Sequence, residues 1–282
     1  MWKSIIYFIK KLYLKKTRNT FFTPHYYPEK VFEQYSLIIE QVNNCAEKAN
    51  NCINKKVLHS KIKHKKLWLV NDWYDIESKK LWNYKFKDEE FTSALHRWSW
   101  LLYDLSYTNT QISFDDGINL IRFWEYRICD AQLDISEQSY NISERISNGI
   151  LFLLLTNPDF NVQISFPSDI KQLFSSMAFR LSHQIEYCGD LTGNHVLNNA
   201  RALYLYGEIL NKPLYISLAL EIFSNELPNL ITKKGFLREG SSHYQLLITR
   251  WLYEVLWVSK KFENKIINNL IKPYYRIMSK AS

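Results

Sequence analysis

Two short segments carry residue types that could move protons around a developing negative charge. Gly193-Asn194-His195 places an amide beside an imidazole, and Tyr244 adds a phenol hydroxyl further along the chain. An amide N–H stabilises negative charge that develops during a reaction, while imidazole and phenol groups act as general acids or bases. Asn194, His195 and Tyr244 are therefore the candidate catalytic residues.

Each of these residues also has a purely structural interpretation. A Gly-Asn pair is common at the start of a helix, where the Asn side chain caps it. Tyr244 is one of 19 tyrosines, and buried or interfacial packing accounts for most such side chains. Glu239 is expected to orient the loop before Tyr244 through hydrogen bonds, and His243 to lie at its periphery. Spacing alone leaves both interpretations open.

The elements that must position these residues are helices. Apolar residues repeat with helical periodicity almost throughout, and only 7 Gly and 7 Pro interrupt the 282 residues. Helices joined by short loops alternate in direction, so we predict an all-α fold of antiparallel helix pairs. The predicted helices span residues 29–53, 87–105, 115–131, 143–156, 168–188, 194–211, 214–231, 241–259 and 262–278.

The alternation in direction brings three polar helix starts to one end of the fold. The helices near residues 143, 194 and 241 should point the same way, with Ser143-Glu144-Arg145 in the first turn of the earliest one. Helix N-termini expose unpaired N–H groups that favour anions. We therefore predict that Asn194, His195 and Tyr244 open into one cleft that suits an anionic ligand.

Four ordered segments resemble the heparinase II/III-like polysaccharide lyases. Residues 190–203 are similar to the GNH-L-x-N-A-x-A-L helix of that family, and residues 235–245 to its DG-x-x-x-E-x-S-x-x-Y-H segment. Residues 143–148 and the aromatic run 73–100 fit as well. The resemblance implies an (α/α) toroid, here expected to be incomplete, over residues 67–282, preceded by a helical segment with basic stretches over residues 1–66.

The resemblance also implies a reaction, β-elimination on a uronic-acid-containing polysaccharide. Asn194 would neutralise the uronate carboxylate, which stabilises the enolate-like intermediate. His195 would assist as donor or base, and Tyr244 would be the acid or base. The alternative function is an inactive or truncated glycan-binding toroid. The expected substrate-binding residues are Asn198, Arg145, Glu239, His243 and Trp98.

The chain departs from the family pattern at several positions. Lys234 stands where the family has Asp, Gln245 replaces the His after the Tyr, and Gly149 replaces a common Trp. The C-terminal β-sandwich of the family is not expected within residues 67–282. A separately encoded β-sandwich chain is therefore an expected partner of an active form.

The overall charge of +8 favours polyanionic partners such as an acidic polysaccharide. No nucleic-acid-binding motif accompanies this charge, so nucleic acid is not expected. Residues 2–16 form a basic amphipathic pattern that suits peripheral contact with an anionic membrane, with packing on the domain itself as the alternative. No metal or cofactor motif is present, and none is expected. The expected location is cytoplasmic or peripherally membrane-associated, with a periplasmic one implied by the family resemblance.

Overall fold

A computed structural model describes residues 65–70, 72–78, 81–82, 86, 88–107, 112–129, 134–157, 167–187 and 192–282. The predicted helix over 29–53 and the basic amphipathic segment 2–16 lie outside these residues. Within the described part of the chain, no helix is long and apolar enough to cross a membrane.

The Trp-rich segment after residue 65 forms a β-hairpin. Strand β1 spans Lys66–Leu69 and pairs antiparallel with β2, which spans Asp72–Asp75, so that Trp68 lies opposite Trp73. Alternation along β1 buries Leu67 and Leu69 against the helices. This hairpin is the single sheet formed by the described residues, and the prediction of an all-α class is confirmed.

The predicted helix over 87–105 is two helices, α1 over Glu89–Arg97 and α2 over Ser99–Tyr107. Asp88 caps α1 by accepting a hydrogen bond from the backbone N–H of Glu90 at 2.9 Å. Trp98 ends α1 in the left-handed region, at φ 58°, and this break redirects the chain.

The break at Trp98 corrects the expectation that this residue binds substrate. On one continuous helix, Trp98 and Trp100 could not both face the core. Because the chain changes direction between them, both are buried, with exposed fractions of 0% and 1%. Trp98 therefore packs in the core, against Trp124 and Phe174, and does not line a sugar-binding groove.

Seven further helices follow, with bounds close to those that periodicity predicts. They are α3 (Phe114–Cys129), α4 (Ser139–Thr156), α5 (Ser168–His183), α6 (His195–Ile209), α7 (Pro213–Leu230), α8 (Ser242–Lys261) and α9 (Lys265–Ala281). A short 3-10 helix over Asp134–Glu137 precedes α4.

The last six helices form two rows, an inner row of α4, α6 and α8 and an outer row of α5, α7 and α9. Helix α6 packs between α4 and α8, while α5, α7 and α9 each pack against the helix that precedes them. Helices α4 and α6 are buried on almost every side, whereas α9 buries only Ile267, Ile271 and Met278. A helix that is buried all round belongs to the inside of a fold. The polar residues of α4 and α6 must therefore find partners within the protein.

The Gly149 departure from the family pattern has a packing reason. A Cβ atom at position 149 would lie 2.8 Å from the ring of Phe174 and 3.0 Å from that of Trp98. Because Trp98 occupies the adjacent space, only glycine fits this position of α4.

We expect Gly149→Leu to destabilise the fold by about 1–3 kcal/mol, the usual cost of overpacking a filled core. Urea denaturation of the two proteins measures this difference. In a Trp98→Ala background, which vacates the neighbouring volume, the same leucine should cost much less. An equal cost in both backgrounds would show that Trp98 is not what excludes a side chain here.

Candidate active site

Contacts along the inner row show that α4, α6 and α8 run in the same direction. Near the start of α4 and α6, the rings of Tyr140 and His195 lie 4.6 Å apart. Further along both helices, Arg201 donates from NH1 to Glu144 Oε1 at 2.9 Å, and its Nε lies 2.6 Å from Glu254 Oε2 on α8. Tyr140 also faces Trp251, which precedes Glu254 on α8, at 6.2 Å. The predicted alternation of helix directions is thus confirmed for this row.

Asn194 is fixed by Glu239 from the loop before α8. The backbone N–H of Asn194 donates to Glu239 Oε1 at 2.9 Å, and its side-chain Nδ2 donates to Glu239 Oε2 at 2.6 Å. The Asn194 side chain makes no capping hydrogen bond to α6, so the capping interpretation does not describe it. Both carboxylate oxygens of Glu239 therefore bind Asn194, so Glu239 orients Asn194. The sequence predicts only that Glu239 orients the loop before Tyr244.

One polar atom of Asn194 stays unsatisfied in this arrangement. The residue is 3% exposed, and its Oδ1 has no hydrogen-bond partner. A buried carbonyl oxygen without a donor costs free energy that a ligand hydroxyl or a water molecule could recover. The Nδ2 group has a second hydrogen beyond the one that faces Glu239, so the amide can still act as a donor.

His195 begins α6 beside a carboxylate that the sequence motifs did not include. Its Nδ1 lies 3.0 Å from Glu186 Oε1, and half of its side chain is exposed. The pKa of His195 is raised above its ordinary value, first by this hydrogen bond to Glu186 and then by the charges of Glu186 and Glu239, against the effects of burial and Arg97. The protonated imidazole therefore persists to higher pH than that of an isolated histidine.

The ring of Tyr140 packs beside that of His195. Arg97 lies over the Tyr140 ring at 4.8 Å and donates from Nε to Asn141 Oδ1 at 2.6 Å. Burial, followed by the charge of Glu144, raises the pKa of the Tyr140 hydroxyl, so this hydroxyl stays protonated at neutral pH. Arg97 also donates from NH1 to Glu90 Oε1 at 2.5 Å, so its positive charge at this end of the inner row is partly offset by a carboxylate.

Tyr244 lies in the first turn of α8 and is 38% exposed. Ser241 caps this helix by accepting from the Tyr244 backbone N–H at 3.4 Å, and the ring of exposed His243 lies 5.6 Å from that of Tyr244. The loop that leads into α8 contacts Asn194 through Glu239. That the Tyr244 hydroxyl converges on Asn194 and His195 stays a prediction.

Asn198 is buried and holds an arginine, which corrects the expectation that it binds substrate. It is 0% exposed, and its Oδ1 accepts from Arg201 NH1 at 2.8 Å. The same guanidinium binds Glu144 and Glu254, so that one arginine joins all three inner helices. Asn198 lies beneath the candidate site and stabilises the helices that carry it.

Arg145 is also in the core, because α4 begins at Ser139; the prediction that residues 143–145 form the first turn of this helix is wrong. It is 1% exposed, donates from Nε to the His96 backbone oxygen at 2.7 Å and from NH2 to the Ser136 backbone oxygen, and lies over the Trp124 ring at 4.4 Å. Burial lowers its pKa to about 9. Because its donors bind backbone oxygens inside the protein, Arg145 cannot contact a substrate in this structure.

Sequence reasoning missed Glu186, Arg201 and Glu254. Arg201 could have been identified from the sequence as a partner of Asn198, because it follows Asn198 by three residues and therefore lies on the same side of α6. Glu186 lies just after α5, in a segment that no motif covers, and it reaches His195 only through the tertiary fold. Among the described residues, no cluster of His, Cys, Asp and Glu could hold a metal ion.

Comparison with solved structures identifies the fold. Heparinase III matches with a TM-score of 0.53 and 19% sequence identity, over 74% of this chain. The fold is an α/α toroid. The matched region amounts to 33% of heparinase III, so this chain spans about a third of the length of that protein. No family model and no curated protein matches the chain. At 19% identity, this likeness shows the fold alone.

Proposed function

We propose that the protein is a lyase-type toroid that acts by β-elimination on a uronic-acid-containing polysaccharide. The observation that carries this proposal is the pair Asn194–His195 at the start of an inner helix, fixed by Glu239 and Glu186. The fold similarity to heparinase III supports the proposal, because the pair lies on a similar helical scaffold. The argument for function nevertheless depends on the site and not on the fold.

The chemistry requires a group that withdraws charge from the uronate carboxylate. The proton on C5 is weakly acidic, and its removal places negative charge on that carboxylate. The second amide hydrogen of Asn194 would donate to it, and the positive charge of Arg97 would stabilise the same region. Tyr244, in the first turn of the neighbouring inner helix, would exchange a proton with the glycosidic oxygen.

A purified-protein screen against uronate polymers tests the proposal. Elimination produces an unsaturated uronate that absorbs ultraviolet light, whereas hydrolysis does not. Neutral glucans serve as the substrate control, and the screen is repeated with a candidate β-sandwich chain added. If no uronate polymer yields the absorbing product in either form, the proposed activity is wrong.

We expect binding of the acidic polysaccharide to weaken as salt rises, because the positive groups near the site are partly exposed. Losing roughly two exposed ion pairs of about 0.2–1 kcal/mol each corresponds to a drop in affinity of about twofold to thirtyfold. Calorimetric titration at low and at high NaCl measures it. Equal binding of a neutral glucan, or binding that salt leaves unchanged, would contradict a polyanionic ligand.

A second candidate function is glycan binding without catalysis, and Gln245 favours it. Gln245 occupies the place of the family histidine, yet it is buried and its amide holds a loop. Its Nε2 donates to the Gly235 backbone oxygen at 2.8 Å, and its Oε1 accepts from the Leu237 backbone N–H at 2.9 Å. A proton-transferring group is therefore absent from this position. Binding of uronate polymers without any unsaturated product would select this function.

A further inference from the structure

Glu186 is held by hydrogen bonds at both of its carboxylate oxygens. Its Oε1 lies 3.0 Å from His195 Nδ1, and its Oε2 accepts from Asn199 Nδ2 at 3.3 Å. The backbone N–H of Glu186 donates to Asn199 Oδ1 at 2.8 Å. Asn199 is itself 0% exposed and donates to Ser143 Oγ on α4 at 3.0 Å. The carboxylate is therefore anchored to α6, which Asn199 links in turn to α4, and it cannot swing freely into solvent.

This anchoring determines how the imidazole of His195 is used. A carboxylate accepts hydrogen bonds, so neutral His195 carries its hydrogen on Nδ1 and directs it at Glu186. The other ring nitrogen, Nε2, then presents a lone pair. Half of the side chain is exposed, and the Tyr140 ring at 4.6 Å limits rotation of the imidazole.

We propose that Glu186 is the positioning residue that makes His195 Nε2 the base of the elimination. The inference rests on the proposed function and assigns the two proton transfers within it. Nε2 takes the C5 proton, and the electrons of that C–H bond form the C4–C5 double bond. The C4–O bond breaks, its electron pair stays on the glycosidic oxygen, and Tyr244 gives that oxygen a proton. Solvent then returns a proton to Tyr244 and removes one from His195, so the cycle balances.

The charges that face His195 set the direction of its pH dependence. Glu186, in the segment after α5, and Glu239, in the loop before α8, favour the protonated imidazole, whereas Arg97 at the end of α1 disfavours it. From α4, His195 faces the ring of Tyr140. A base must be unprotonated to act, so kcat/KM should rise with pH through the pKa of His195. Removing the charge of Glu186 lowers that pKa and should move this rise to lower pH.

Glu186→Gln tests the proposal, because glutamine keeps the shape of the side chain and can still accept from Nδ1. The His195 imidazole is followed by NMR across pH, with its signals assigned by their loss in His195→Gln. We expect the His195 pKa to fall, the acidic limb of kcat/KM to move with it, and kcat to drop roughly tenfold as the base weakens. Glu186→Asp, which retains the charge, should recover part of the pKa. Glu221→Gln, an exposed glutamate on α7, is the matched control and should change nothing.

The outcomes separate this proposal from the proposed function. An unchanged His195 pKa in Glu186→Gln overturns the coupling between the two residues, whether or not the protein is active. A lowered pKa with an unmoved acidic limb shows that His195 is not the base, while the lyase activity itself stands. A wild-type protein that forms no unsaturated product overturns the proposed function, and with it the role of Nε2 as base.

Discussion

Tyr244→Phe should abolish formation of the unsaturated product while leaving binding of the polysaccharide nearly intact. The substitution removes one hydroxyl from a side chain that is already 38% exposed, so little packing is lost. If that hydroxyl protonates the departing glycosidic oxygen, the elimination rate should fall by roughly 10²–10⁴, the usual contribution of a general acid or base. Initial rates from ultraviolet absorbance and affinity from calorimetric titration measure the two effects separately.

The matched control for Tyr244 lies on the same helix. Tyr253 is 53% exposed, and its ring contacts Tyr275 on α9 at 5.8 Å. Tyr253→Phe should therefore leave both rate and affinity unchanged. An active Tyr244→Phe protein with a rate near that of the wild type would remove Tyr244 from the mechanism. Equal losses in both variants would indicate a general effect on α8.

Arg201→Met should destabilise the protein by about 3–5 kcal/mol, the range seen when one partner of a buried ion pair is removed. The Arg201 side chain is 0% exposed and lies between Glu144 and Glu254, whose side chains are 8% and 13% exposed. Without the guanidinium, two nearly buried carboxylates lose their main counter-charge. Chemical denaturation at pH 7 measures the loss in the free energy of unfolding.

The pH dependence of the Arg201→Met loss has a definite sign. In the wild type, burial alone would raise the pKa of Glu144, but the charges of Arg201, Arg250 and Arg97 bring it below its ordinary value. In the variant, the charge of Arg201 no longer counteracts the effect of burial, so the pKa of Glu144 in the folded state rises. A raised carboxyl pKa favours the folded state at low pH, and the deficit should therefore be smaller near pH 4 than at pH 7.

Two comparisons control for the loss of Arg201. Arg180 pairs with Glu137 at the surface, where both side chains are more than two-fifths exposed, so Arg180→Met should cost less than about 1 kcal/mol. Replacing Arg201, Glu144 and Glu254 together with methionine should recover much of the loss, because no charge is then left buried. A cost for Arg201→Met no larger than that for Arg180→Met would show that the buried pairs contribute little.

Short-range sequence patterns determined the helices of this protein and the direction in which they run. Apolar periodicity and turn residues depend on neighbours within a few positions, so they predicted α4 to α9 with bounds close to those observed. The same patterns placed Asn194 and the loop of Glu239 at one end of the inner row, where they bond to each other. The all-α class and the toroid followed from the periodicity and from the family resemblance.

Only the tertiary structure decided which polar residues face solvent and which are paired inside. The sequence offered Arg145, Asn198 and Trp98 for substrate binding, yet α4 and α6 are enclosed on almost every side, and the left-handed break at Trp98 turns that ring inward. A residue inside an enclosed layer must be satisfied by whatever helix lies opposite, and sequence spacing does not reveal that helix. The contact between Glu186 and His195 likewise depends on the tertiary structure. Asn199 and Ser143, on two different helices, hold the segment after α5 in place.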